Sequence, residues 1–161
     1  MTAFPPAVAA LLAKMPFAPL GPGTPIAEVR TDLDAMMPTL PLGCQAGLWL
    51  AFGHWERSHQ VAQDLDTPEG SFWHAVLHRR EPDAGNAKYW FRRVGPHPIF
   101  AELATAALAL GYGDGPTWDA ARFVDDCERH RDTGTEIEAT LKAVQAKEWE
   151  LLFAWCWGNG P

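Results

Sequence analysis

Apolar residues recur along this chain at intervals of three and four and never in sustained strict alternation, so the pattern predicts helices throughout and no sheet. Leu48, Phe52, Trp55, His59 and Ala62 share one face over residues 44–65, as one long helix or two divided near Gly53. Ala87, Trp90, Phe91 and Val94 fall at i, i+3, i+4 and i+7, a buried stripe for a helix over 86–94. Phe100, Leu103, Ala107 and Leu110 do the same over 98–110. Prolines and glycines gather between these stretches and punctuate them. Further helices are predicted over 7–15, 25–37, 68–80, 117–130 and 136–157. Asp66 or Thr67 is placed to cap the fourth segment, with Pro68 at its first position. The last segment carries the stripe Ile137, Leu141, Val144, Glu148, Leu151 and Trp155, in which a glutamate is out of place. Glu148 must either snorkel to solvent or meet a buried cation.

The fold class expected is therefore all-α: a single compact domain over 1–161, of about seven to eight helices. A hairpin over 68–94 sits at its centre and the long C-terminal helix packs across it. Residues 1–23, rich in proline and alanine, are expected to form a loosely packed N-terminal segment. The length of 161 residues, 47% of them apolar, suits one domain with a sizeable core.

Charge narrows the partners. A net charge of −7 argues against nucleic acid and anionic membrane surfaces. Residues 71–98 are the exception: they sum to +3, which leaves −10 for the remainder. Such a patch suits a small anionic ligand or an acidic protein segment, and it equally suits internal salt bridges. The three cysteines, Cys44, Cys127 and Cys156, are odd in number and form no CxxC, which points to free thiols in a reducing, cytoplasmic setting. The N-terminal MTAFPPAVAALLAKM lacks a basic start and a long apolar run, so neither a signal peptide nor a membrane span is predicted.

The candidate chemistry lies in SFWHAVLHRREPDAGNAKYWFRRVGPHP, residues 71–98. His74 and His78 are i and i+4 on one helix face, and Glu81 follows on the same line. With His59 from the preceding segment, two or three imidazoles and a carboxylate have the makings of a site for a divalent metal such as zinc, iron, nickel or manganese. The alternative is that these histidines hydrogen-bond within a seam between helices. In NAKYWFRRV the apolar stripe turns Lys88 and Arg92, and Tyr89 and Arg93, outward as two polar rows. Arg79 and Arg80 end the preceding helix, where cations suit the negative end of the helix dipole. Together with His97 these residues define a candidate surface for an anion or an acidic partner, through bidentate guanidinium contacts. The competing arrangement pairs the arginines with Glu81, Asp83, Asp64, Asp66 or Glu148. Ser58 near His54 or His59 has no third partner for a catalytic triad, and GYGDGP lacks the lysine of a phosphate loop.

That same long string resembles the signature of a small, uncharacterised bacterial protein family, and FVDDCE and KEWELLFAWCW resemble its later blocks. The resemblance implies an all-helical fold and no particular reaction. It also implies a glycine where Pro82 stands, in the hairpin turn. Locally, residues 73–94 resemble one helical hairpin of the tetratricopeptide type. Two functions follow as expectations. The first is a non-enzymatic binding module whose basic hairpin receives a small anion or acidic peptide. The second is a metal-assisted, hydrolase-like enzyme with His74, His78 and His59 or Glu81 as ligands.

Overall fold

A computed structural model describes residues 4–160, and among these residues there is no strand. Among the described residues nine α-helices follow one another: α1 (Pro6–Leu12), α2 (Arg30–Met36), α3 (Leu42–Ala51), α4 (Trp55–Asp64), α5 (Pro68–Arg80), α6 (Ala84–Val94), α7 (Ile99–Ala109), α8 (Ala120–His130) and α9 (Glu136–Asn159). Short 3-10 turns, Ala27–Val29 and Met37–Thr39, flank α2. The helix count exceeds the expected seven to eight because the segment over 44–65 divides. Gly53 sits at φ 77°, and a Cβ there would lie 2.3 Å from the Thr24 carbonyl oxygen. The chain breaks where a loop crosses against it, and α3 and α4 fold back on each other as separate helices.

The organising element is α5. Thr67 caps it by accepting a hydrogen bond from the Gly70 N–H at 3.2 Å, and Pro68 opens it. Every residue from Gly70 to Arg80 is buried. Helices α3, α4, α6 and α8 all pack against it, so it has no solvent face and its histidines and arginines are carried into the interior. Close approach depends on small residues. On α3, a Cβ at Gly43 would meet Cys156 Sγ at 2.6 Å, and one at Gly47 would meet the Trp73 ring at 2.8 Å. Gly70 is tighter still, because its added Cβ would lie 1.9 Å from the Leu65 carbonyl oxygen.

One hydrophobic cluster runs from Val8 and Leu11 through α3, α5 and α6 to Phe153 and Cys156 of α9. A smaller one gathers Leu20, Ala107, Phe123, Cys127, Leu141 and Val144. The segment expected to pack loosely, residues 1–23, is anchored at a few points, while most of its other described residues are exposed or half-buried. Val8, Leu11 and Leu20 are buried, and Phe4 meets the rings of Phe153 and Trp157 at 5.5 and 5.3 Å. Val8, Leu11 and Leu20 of this segment reach the core, whereas Phe17 stays exposed. The stripe on α9 is also rotated from the one expected. Ile137 is exposed, while Leu141, Gln145, Glu148, Leu152 and Cys156 face inward.

All three cysteines are free and buried, in keeping with core thiols. No helix among the described residues is long and apolar enough to cross a membrane. The turn between α5 and α6 holds Pro82 at φ 34°, the region where glycine is at ease and a pyrrolidine ring is not.

Candidate metal centre

The sequence places His74 and His78 one turn apart on α5, and antiparallel packing of α4 brings His59 against them. His59 Nε2 and His74 Nε2 are 2.8 Å apart. One ligand nitrogen from each of His59, His74 and His78 lies within 4.8 Å of the others. A tetrahedral metal with bonds of about 2.0–2.1 Å needs nitrogens roughly 3.3 Å apart, so small ring rotations suffice to seat one. His59 is half-buried and the other two are buried. The cluster therefore sits at the edge of the interior, with His59 of α4 its most accessible member.

Aromatic rings hold the imidazoles in place. Trp55, one turn before His59 on α4, stacks on it at 4.7 Å and 16°. The Trp55 indole N–H is in turn tied to the Leu77 carbonyl at 3.4 Å. Trp90 of α6 stacks on His74 at 3.9 Å and 15°, and His74 and His78 stack on each other at 4.9 Å. The apolar stripe of α6 thus supplies one wall of the site through Trp90.

Glu81 does not join the cluster as a fourth member. It stands behind His78, with Oε2 2.9 Å from Nδ1. With His78 Nδ1–H donating to this carboxylate, Nε2 is the acceptor, and the Asn86 side-chain N–H donates to it at 3.1 Å, a hydrogen bond that a metal at Nε2 would displace. A carboxylate behind a histidine in this way orients the ring and raises its basicity as a ligand. Asp83 places Asn86 by capping α6, accepting the Asn86 N–H at 3.0 Å.

The surroundings of His59 and His74 favour their neutral forms. Burial, reinforced by His59 and His78, pulls His74 down to about 4. Burial and the proximity of His78 also lower His59. Three imidazoles this close cannot all carry protons, and neutral imidazole is the form that binds metal. Buried His74 Nδ1 has no hydrogen-bond partner.

The basic residues of the same string do not converge. Arg79 is fully buried and reaches α9, where Nη1 and Nη2 donate to the two Glu148 oxygens at 3.1 and 2.5 Å. Burial opposes this guanidinium's charge, but Glu148 holds its pKa above the ordinary value. Glu148 thus meets a buried cation, one of the two outcomes that its place in an apolar stripe allowed. Arg80 is also buried, and it donates to the carbonyls of Gly21, Leu50 and Pro22 at 2.9, 3.4 and 3.2 Å. Lys88 pairs with Asp125 of α8. Arg92 and Arg93 are exposed, and Arg93 lies over Trp90 at 5.3 Å from the ring centre. Tyr89 is exposed beside Trp90. His97 is buried among Phe72, Phe100 and Trp155, with Nε2 3.6 Å from Glu69. Of the seven residues expected to form one anion surface, three are interior and in separate surroundings. For Arg79 and Arg80 the reason is the all-round burial of α5, which strips its last turn of a solvent face, and His97 is interior because the turn after α6 packs it on Phe72 and Trp155.

Ser58 is likewise structural, its hydroxyl donating to the Ala46 carbonyl at 2.7 Å within the α3–α4 contact. Trp55 and Asn86, which complete the centre, stood out in the sequence only as a stripe position and a helix start. No protein-family signature, curated protein or solved structure matches this chain.

Proposed function

We propose that His59, His74 and His78 bind a divalent transition metal, and that the chain is a metal-assisted, hydrolase-like enzyme. The observation that carries this reading is the convergence of three imidazoles from two helices, one backed by a carboxylate. Structural zinc sites close all four positions with protein ligands, whereas catalytic sites use three and leave the fourth to water. The cluster here has three members among the described residues, and its half-exposed one faces solvent. His59, His74 and His78 would hold the metal, with Glu81 orienting the His78 ring, and a metal there would supply Lewis-acid activation of water for hydrolysis.

The test is metal content and uptake of the full chain, prepared without a histidine tag or chelator. About one zinc, iron, nickel or manganese per chain is expected, with His74→Ala and His78→Ala losing it while keeping their helical circular dichroism. Glu81→Gln should retain the metal with about 10–100-fold weaker affinity. A folded protein that takes up no metal, or histidine variants that hold as much as the parent, would overturn the assignment.

A further inference from the structure

We propose that a second site, remote in chemistry from the histidines, takes a small monocarboxylate with a short apolar tail, in the cavity that Arg80 lines. The cavity has a volume of about 210 Å³ and lies where α3, α5 and α9 meet the chain that follows α1. Met15, Phe17, Val76 and Trp149 give it apolar walls, and Arg80 and Gln145 are its polar members. Phe17 is 64% exposed and forms the outer wall, so the cavity is reached from solvent past a single ring.

Arg80 is the group that asks for a ligand. It is 3% exposed, and every partner it has is a neutral carbonyl oxygen. The neighbouring cation, Arg79, is neutralised by Glu148. Among the described residues, no carboxylate forms an ion pair with Arg80, and burial together with Arg79 pulls its pKa down to about 10. A buried charge without a counter-charge is costly, and the cost is relieved by any anion that can reach it. A guanidinium offers five N–H groups, and three hydrogen bonds to carbonyls leave two of them for a ligand. Two adjacent N–H groups match the two oxygens of one carboxylate. A single uncompensated positive charge matches a monoanion, and the apolar walls select for a tail. The volume is below the roughly 300–1,000 Å³ of pockets that hold drug-sized molecules, so the tail is short.

Octanoate is the probe, with octanol as the same tail without charge and acetate as the same headgroup without tail. Calorimetric titration of the full chain should show saturable octanoate binding, and octanol and acetate should bind about tenfold more weakly or worse. Ala146 lines the cavity from a half-buried position, so Ala146→Phe fills the space and should abolish binding while the protein stays folded. Arg80→Gln should weaken octanoate about tenfold and leave octanol unchanged; should that variant fail to fold, Ala146→Phe and the octanol comparison still decide. Octanoate that does not bind, that binds no better than octanol, or that binds Ala146→Phe as it binds the parent overturns the assignment. Loss of metal through His74→Ala leaves this binding intact, which keeps the two sites separable.

Discussion

Neutralising Glu148 is the sharpest perturbation this fold offers. Glu148→Gln keeps the size of the side chain and removes its charge. The carboxylate is 1% exposed and receives two hydrogen bonds from Arg79, whose guanidinium also stacks over Phe123 at 4.6 Å and reaches Gln145 at 3.4 Å. Without the carboxylate, Arg79 is left as a buried cation surrounded by α8, α9 and uncharged partners, and Arg80 follows it in sequence. Breaking a buried pair by removing one member typically costs about 3–5 kcal/mol, because the remaining charge stays desolvated. For a domain of this size each kcal/mol moves the melting temperature by roughly 2–4 °C, so a drop of about 6–20 °C is expected. The pair itself contributes far less than this to stability. Replacing both members with apolar residues of similar volume, Arg79→Met with Glu148→Leu, removes both desolvation costs and should recover most of the loss. The assay is urea unfolding of the parent, Glu148→Gln, Arg79→Met, Glu148→Leu and the double variant, followed by tryptophan fluorescence, with the coupling read from the cycle of the last three with the parent. A loss below about 1 kcal/mol in Glu148→Gln, or a double variant no better than the singles, would refute the account of Arg79 as a fully desolvated ion.

Acid should weaken the metal-free protein through the histidine cluster. His74 titrates near 4 when folded and near 6.5 when unfolded, so between those values the unfolded chain binds more protons. Stability is therefore full above the unfolded value and falls as pH drops toward the folded one, by up to about 3 kcal/mol from this residue. Urea midpoints measured across that window should fall steadily in the parent and less steeply in His74→Phe, and equal slopes would rule the cluster out as the cause. Gly70→Ala should cost at least about 2 kcal/mol, since its Cβ would press on a backbone carbonyl that cannot move aside. A thermal midpoint within a degree or so of the parent would show that the loop before α5 is free to shift.

Local pattern made much of this molecule legible. Helical periodicity and proline or glycine punctuation located the helices, because each helix end depends on residues within a turn of it. The Thr67 cap and the Pro68 start of α5 were placed on such grounds. So was the pairing of His74 with His78, which the 3.6-residue repeat alone puts on one face. Glu148 betrayed a buried cation by interrupting an apolar stripe, although nothing in the stripe named Arg79.

What lay beyond local pattern is who stands opposite whom. Arg79 and Arg80 end a helix in a basic stretch, a place that normally reads as surface. They are interior because α8, α9 and the loop after α1, all distant in sequence, close over the end of α5. His59 joins the other two histidines only because α4 turns back after Gly53, whose positive φ answers to the Thr24 loop and not to its neighbours in sequence. The cavity beside Arg80 is assembled from segments as far apart as Met15 and Trp149. A side chain's burial is a property of all the elements packed around it, and the period of one helix reports which way a residue points, never what it meets there.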